Sequence, residues 1–190
     1  MNLSLNILGL CGSLRAGAYS RPVLQAIADL LPADAHFDEL NIGTLPHYNE
    51  DFDGDATPAV VAATRARVER ADAVVIVTPE FNHGIPGVLK NTLDWLSRPA
   101  FASCMIGKPV LFATISPGML GGVRAQHALR ETLSSMLCRL FPLKEIAVTH
   151  VHKKLDGGVL VDPATLAHIA EVLEAFLAQA RLAEREGAPC

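Results

Sequence analysis

The feature that most constrains this chain is an alternation between two apolar periods. Short continuous runs rich in β-branched residues stand at 5–10, at 73–78 (AVVIVT) and at 109–115 (PVLFATI), as expected of strands buried on both faces. A weaker run at 145–151 (EIAVTHV) and a short one at 35–40 (AHFDEL) make five candidate strands. Helical patterns lie between them. Residues 20–31 place Val23, Leu24, Ile27, Leu30 and Leu31 on one face, with Ser20 as N-cap and Pro22 in the first turn. Thr57-Pro58 opens a second helix to about Arg70, and Pro86 a third that turns Leu89, Leu93 and Leu96 inward and ends before Pro99. A fourth starts at Val123 with Leu129, Leu133, Met136, Leu137 and Leu140 inward. Asp162-Pro163 caps the last, whose stripe is Leu166, Ile169, Leu173, Phe176 and Leu177. Strands alternating with helices imply an α/β fold of three layers, a parallel sheet with helices on both faces. Five such strands suit the doubly wound order 2-1-3-4-5. The 190 residues are expected to form one domain, 1–190, burying roughly 70% of the unfolded surface.

That order puts ligands beyond the carboxyl ends of the strands, at the switch between the first and third. Polar and glycine-rich stretches follow strands one, three and four: "GSLRAGAYS", "TPEFNHGIPG" and "SPGMLGG". The first suits a held phosphate. Gly12 and Gly17 have the spacing of a nucleoside-triphosphate loop, but Ala18-Tyr19 replace its Lys-Ser/Thr, and no dinucleotide fingerprint is present. Cys11 as a phosphatase nucleophile is disfavoured by its short spacing to Arg15. Arg15, the hydroxyls of Ser13 and Ser20, and a helix N-terminus favour an anion, the last by about 0.3–1 kcal/mol. Read singly, Ser20 is a helix cap and Arg15 a solvated charge; their clustering is what those readings leave over.

In the second stretch a flat ring could lie beside Phe81 with Asn82 and backbone amides at its polar edge. Phe81 taken alone reads as core, Glu80 as a buried acid or a partner for a backbone amide, and His83 as an exposed turn residue without a catalytic role. The third stretch removes side chains beside the same space, as a planar ligand needs.

Composition excludes other classes. The net charge of −4, with both signs scattered, lacks the basic stripe of a nucleic-acid binder. No apolar stretch reaches membrane-spanning length, and "MNLSLNILGL" lacks a basic leader, so a cytoplasmic protein is expected. Cys11, Cys104, Cys138 and Cys190 form no C-x-x-C pair, which argues against a metal or disulfide framework. Cys138 reads as helix core and Cys104 and Cys190 as ordinary thiols. His150 and His152 resemble a metal pair on one strand face but lack a third ligand.

A phosphate at one end and a polar-edged ring at the other describe flavin mononucleotide. "GSLRAGAYS", "PEFNHGIPGVLKNTLDWLSRP" and "GGVRAQHALRE" resemble the motifs of the NADPH-dependent FMN reductase-like family, and "LPHYNED" with "KLDGGVLVDPATLAHI" is similar to its chromate/quinone reductase branch. The resemblance implies a flavodoxin-like fold holding FMN non-covalently. Ser13, Arg15 and Ser20 would hold the phosphate; Pro79, Glu80, Phe81 and Asn82 would hold or flank the isoalloxazine; Ser116 and Gly118 would line its other border. The family usually has serine or threonine at Ala18 and asparagine at Ser20. A lost hydroxyl donor implies FMN binding weaker by about 0.5–1.5 kcal/mol.

The resemblance also implies hydride transfer from NADPH or NADH through FMN to a small acceptor such as a quinone, chromate, an azo compound or free flavin. Donor and acceptor would use one exposed face in turn, which implies ping-pong kinetics, and no nucleophile or acid–base pair is required of the protein. A flavodoxin-type electron carrier is the alternative, and a flavin-free regulatory protein on the same fold a third reading. The modest charge and the lack of an aromatic in "SPGMLGG" favour the enzyme. A homodimer or homotetramer is further implied, with "HYNED" (47–51) and the helix bearing Arg124 and His127 as interface segments.

Overall fold

The computed structural model describes residues 4–185. Five parallel strands, β1 (Asn6–Cys11), β2 (His36–Leu40), β3 (Ala73–Pro79), β4 (Val110–Ile115) and β5 (Ile146–Val148), form one sheet in the order β2-β1-β3-β4-β5. Five helices accompany them: α1 (Ser20–Asp29), α2 (Ala59–Arg70), α3 (Gly87–Leu96), α4 (Val123–Ser135) and α5 (Pro163–Arg185). A two-stranded hairpin, β6 (Leu155–Asp156) and β7 (Val159–Leu160), has no counterpart in the apolar pattern.

The strands read as continuous apolar runs because both faces are covered. Ile7, Cys11, Val75, Val77, Ala113 and Ile115 point to one side and pack with Val23, Leu24 and Ile27 of α1 and Ile169, Leu173 and Phe176 of α5. Leu8, Leu10, Val74, Ile76, Val110 and Phe112 point to the other, against Leu89, Leu93 and Leu96 of α3 and Leu129 and Leu133 of α4. This two-residue alternation divides the core into two halves. The register pairs Cys11 with Val77 and Thr78 with Thr114, so β1, β3 and β4 end side by side.

Four local expectations are corrected. Ser20 is the first helical residue of α1 and not its cap: Tyr19 holds the N-cap position without a side-chain bond, and the buried Ser20 hydroxyl meets Cys11 Sγ at 3.2 Å. β5 stops at Val148 because His150 turns the chain at φ 47° into a 3-10 turn, Val151–Lys153, so His150 and His152 do not share a strand face. α4 ends at Ser135; Leu137, at φ 59°, is exposed instead of inward. Cys138 therefore lies past the helix, although it still packs on the core with Cys104. Asp162 does cap α5, its Oδ2 accepting from the Thr165 amide at 2.9 Å and hydroxyl at 2.6 Å. Cys190 lies outside the described residues.

Candidate functional site

Loop 1 (residues 12–19) leaves the sheet at the end of β1, where Cys11 pairs with Val77 of β3. The Gly12 amide donates to Val77 O at 2.8 Å, extending the ladder one step beyond β1. A Cβ there would stand 2.4 Å from Thr78 Oγ1 and 3.0 Å from Thr78 Cα, so only glycine fits. The chain then folds back through a turn in which the Ala18 amide donates to Arg15 O at 3.0 Å. Arg15 is exposed, its guanidinium 5.3 Å from the Tyr19 ring centroid, and it has no ion pair among the described residues. Ser13 is half-buried; its Oγ accepts a long 3.4 Å contact from the Arg15 amide. Ala18 is buried. Cavities of about 310 and 480 Å³ flank the loop, one toward Glu39 and Asn41, the other toward Pro22 and Leu155.

Loop 3 (residues 80–86) begins with a two-residue reversal. Phe81 and Gly84 exchange both backbone hydrogen bonds, at 2.9 and 3.0 Å, around Asn82 and His83, which lie at φ 49° and 63°. Both central residues at positive φ match the tight hairpin turn, and Asn and His tolerate that region better than most side chains. The turn leaves Phe81 66% exposed, so the core reading of this ring does not hold. His83 is exposed, as its turn position suggested.

Loop 4 (residues 116–122) is held by its neighbours. Ser116 Oγ accepts from the Gly118 amide at 3.0 Å, Gly118 O accepts from the His150 amide at 3.0 Å, and Ser116 O from the Val151 amide at 3.1 Å. The kink that shortens β5 thus braces loop 4. Gly118, Met119 and Leu120 are exposed beyond it. The loop ends at Gly122, the N-cap of α4, at φ 83° and without a side chain to cap the helix.

Glu80 supplies what Gly122 lacks. Its Oε2 accepts from the amides of Arg124 (3.0 Å) and Ala125 (3.4 Å), and its Oε1 lies 3.8 Å from Arg124 Nη1. Of the two sequence readings, the amide partner is the one found. Arg124 is the neighbour that sequence reasoning did not connect to these loops, having placed it only on an interface helix. A helix preceded by Gly121-Gly122, with no Ser, Thr, Asp or Asn to cap it, was a usable signal that a distant acceptor is needed.

Ser13, Arg15, Phe81, Asn82, Ser116 and Gly118 therefore all stand on loops leaving the carboxyl ends of β1, β3 and β4. The donor set suits FMN. At one end lie an unpaired guanidinium and a helix start with no acidic residue in its first turn; at the other, an exposed ring, an exposed amide side chain and a bare glycine segment. The nearest carboxylate of loop 3, Glu80, is turned onto α4 and away from any anion.

Comparisons with known proteins place the chain among flavin reductases. The sequence model described as NADPH-dependent FMN reductase matches residues 5–153. A 2-hydroxy-1,4-benzoquinone reductase from Burkholderia sp. is 36% identical over 180 residues, covering 94% of this chain and 98% of that protein. A quinone reductase from Escherichia coli (strain K12) is 37% identical over 180 residues, covering 93% and 95%. Among solved structures, the flavoenzyme NAD(P)H:(acceptor) oxidoreductase FerB from Paracoccus denitrificans superposes with a TM-score of 0.85 at 29% identity, over 93% of this chain and 97% of its own. With the model matched over most of its length and two such relatives above 30% identity, this chain belongs to the NADPH-dependent FMN reductase family.

Proposed function

We propose that this chain oxidises NAD(P)H through FMN and delivers the hydride to a quinone, with the residues of loops 1, 3 and 4 as its cofactor site. The observation that carries the reading is the unpaired Arg15 beside the α1 N-terminus, facing the same end of the sheet as the exposed Phe81-Asn82 turn. When bound, FMN supplies the hydride chemistry at its N5. Ser13, Arg15 and the first turn of α1 hold the phosphate; Ser20, expected beside them, is buried with its hydroxyl against Cys11 and instead anchors the base of the loop. Pro79, Glu80, Phe81 and Asn82 hold or flank the ring, and Ser116 and Gly118 border its other side. Loop 4 carries no aromatic over that space, which leaves room for donor and acceptor in turn. The two relatives named for quinones support a quinone acceptor. The family favours a reductase over a plain electron carrier.

Exposed Met119, Leu120 and Val123 at the start of α4 support a homodimer or homotetramer. Tyr48 of the "HYNED" segment is instead turned into its own chain, its ring edge-on to Trp95 at 4.9 Å. A monomeric mass by light scattering at micromolar concentration would remove the oligomer. No helix among the described residues is long and apolar enough to cross a membrane; we place the enzyme in the cytoplasm, where reduced nicotinamide is available.

The test is an absorption spectrum after incubation with FMN and gel filtration, followed by anaerobic NADPH and then a benzoquinone. Retained yellow colour that bleaches with NADPH and returns with quinone is expected. Colour that never bleaches refutes the reductase, and bleaching that quinone cannot reverse refutes the acceptor.

A further inference from the structure

We propose that Glu80 is a positioning residue that fastens the two walls of the flavin site together and does so without touching the flavin through its carboxylate. The inference rests on the reading of loops 3 and 4 as the ring's borders, and it assigns the side chain of Glu80 a different job from that of its neighbours.

The geometry is unusual for a helix start. α4 needs acceptors for its first-turn amides, and the N-cap residue ordinarily supplies one from its own side chain. Gly122 cannot. Its φ of 83° is a left-handed conformation, and a Cβ there would sit 3.1 Å from Thr114 Cβ, so a capping side chain is excluded at that position. The carboxylate comes instead from Glu80, 44 positions before Arg124, and bonds the second and third amides of the helix. Glu80 is held at one end by the last residue of β3 and at the other by α4. Phe81 and Asn82 follow it directly; Gly118 to Gly122 lead directly into the helix it caps. One carboxylate therefore sets the spacing between a loop that flanks the ring and the loop opposite. The side chain is only 18% exposed, while Arg124 is 52% exposed and its 3.8 Å approach is long. The amide bonds, not the ion pair, carry the fastening.

The distinction between charge and acceptor makes the idea testable. Glu80→Gln keeps an oxygen for the amides and loses the charge; Glu80→Ala loses both. Amide hydrogen exchange at Arg124 and Ala125, read by NMR on the flavin-free protein, reports the fastening itself. Fluorescence titration with FMN, visible circular dichroism of the bound flavin, and KM and kcat for NADPH report its consequence. Glu80→Ala should exchange faster at both amides, bind FMN about tenfold more weakly as one charge-assisted hydrogen bond implies, and change the dichroism of what binds. Glu80→Gln should return FMN affinity to within about threefold of wild type. Unchanged exchange in Glu80→Ala overturns the fastening. Faster exchange with wild-type FMN affinity, dichroism and KM reduces Glu80 to an ordinary helix cap and also overturns the proposal. If Glu80→Ala does not fold, Glu80→Gln decides: equally large losses in the glutamine variant would make charge the essential property and refute the acceptor argument. Wild-type protein that binds no FMN at all refutes the flavin reading instead, and the exchange measurement still stands.

Discussion

Replacing Gly12 by alanine tests the idea that the phosphate loop is set by the contact between β1 and β3. No unusual backbone angle is involved at Gly12; the obstacle is space. The added Cβ would lie 2.4 Å from Thr78 Oγ1, 2.7 Å from Thr78 Cβ and 3.0 Å from Thr78 Cα. A hydroxyl can rotate, but a Cβ and a Cα in a fully buried strand cannot, so the strands must part. Overpacking a tight core costs about 1–3 kcal/mol, and contact with backbone puts this case near the upper figure. For a chain of this size a loss of about 3 kcal/mol lowers the melting temperature by about 6–12 °C. Trp95, the one tryptophan in the sequence and fully buried, reports unfolding by fluorescence. Ser13 and Arg15 lie within three residues of Gly12, so FMN affinity should fall in the same variant. A second change, Thr78→Ala, removes the hydroxyl contact and leaves the one at 2.7 Å; it should restore less than half of the lost stability. A Gly12→Ala protein melting within about 2 °C of wild type with unchanged FMN affinity refutes the reasoning. Full rescue by Thr78→Ala also refutes it, because the hydroxyl alone would then have been the obstacle.

Other consequences follow from single groups. Arg15→Ala should weaken FMN about tenfold, the loss of one charge-assisted bond, while leaving riboflavin, which lacks the phosphate, unaffected; equal losses for both ligands would show that Arg15 is not the phosphate partner. Asp162 titrates below the usual carboxylate range because it accepts from the Thr165 hydroxyl and amide, with Lys154 nearby. Its capping stabilisation is thus present above the ordinary carboxylate range and lost as pH falls through the lower folded value, so the melting gap between wild type and Asp162→Ala should be widest near neutrality and close in acid; a gap that does not change with pH contradicts the carboxylate's role. Burial pushes the Cys104 thiol up to about 11 and Cys138 to about 12. At pH 8 the thiolate of Cys104 is then about one in a thousand, so both should resist a disulfide reagent until denaturant is added, and rapid labelling of either peptide contradicts this.

Much of the fold was legible because local rules and tertiary packing agree in the middle of the sheet. β1, β3 and β4 are buried on both faces, so their apolar runs cannot be confused with amphipathic helices of that length. The agreement weakens at the edges. β5 has the composition of a seven-residue strand, yet it ends after three because His150 must turn to bond Gly118 and brace loop 4. Leu137 continues the helical spacing of Leu129 and Leu133, but α4 has already ended and the 137 carbonyl accepts from Gly107.

The site divides in the same way. The identity of its three loops is local, since glycine, Asn82 and the proline-flanked turns announce themselves in sequence. The direction in which each side chain points is not local. Ser20 carries all the marks of a helix cap, and one residue of register, decided by the Cys11 thiol across the loop, removes it from that role. Phe81 has the burial habit of a core ring, and a two-residue turn at Asn82-His83 holds it in solvent. The first reversal buries a hydroxyl against a thiol; the second leaves an apolar ring where the isolated domain gains nothing from it. The exposed Phe81 ring shares one end of the sheet with Arg15, which has no ion pair among the described residues, and with the bare Gly121-Gly122 segment. That coincidence is the physical argument for a bound partner there: an uncovered ring and a guanidinium without an ion pair are the groups a ligand with a flat ring and a phosphate would cover.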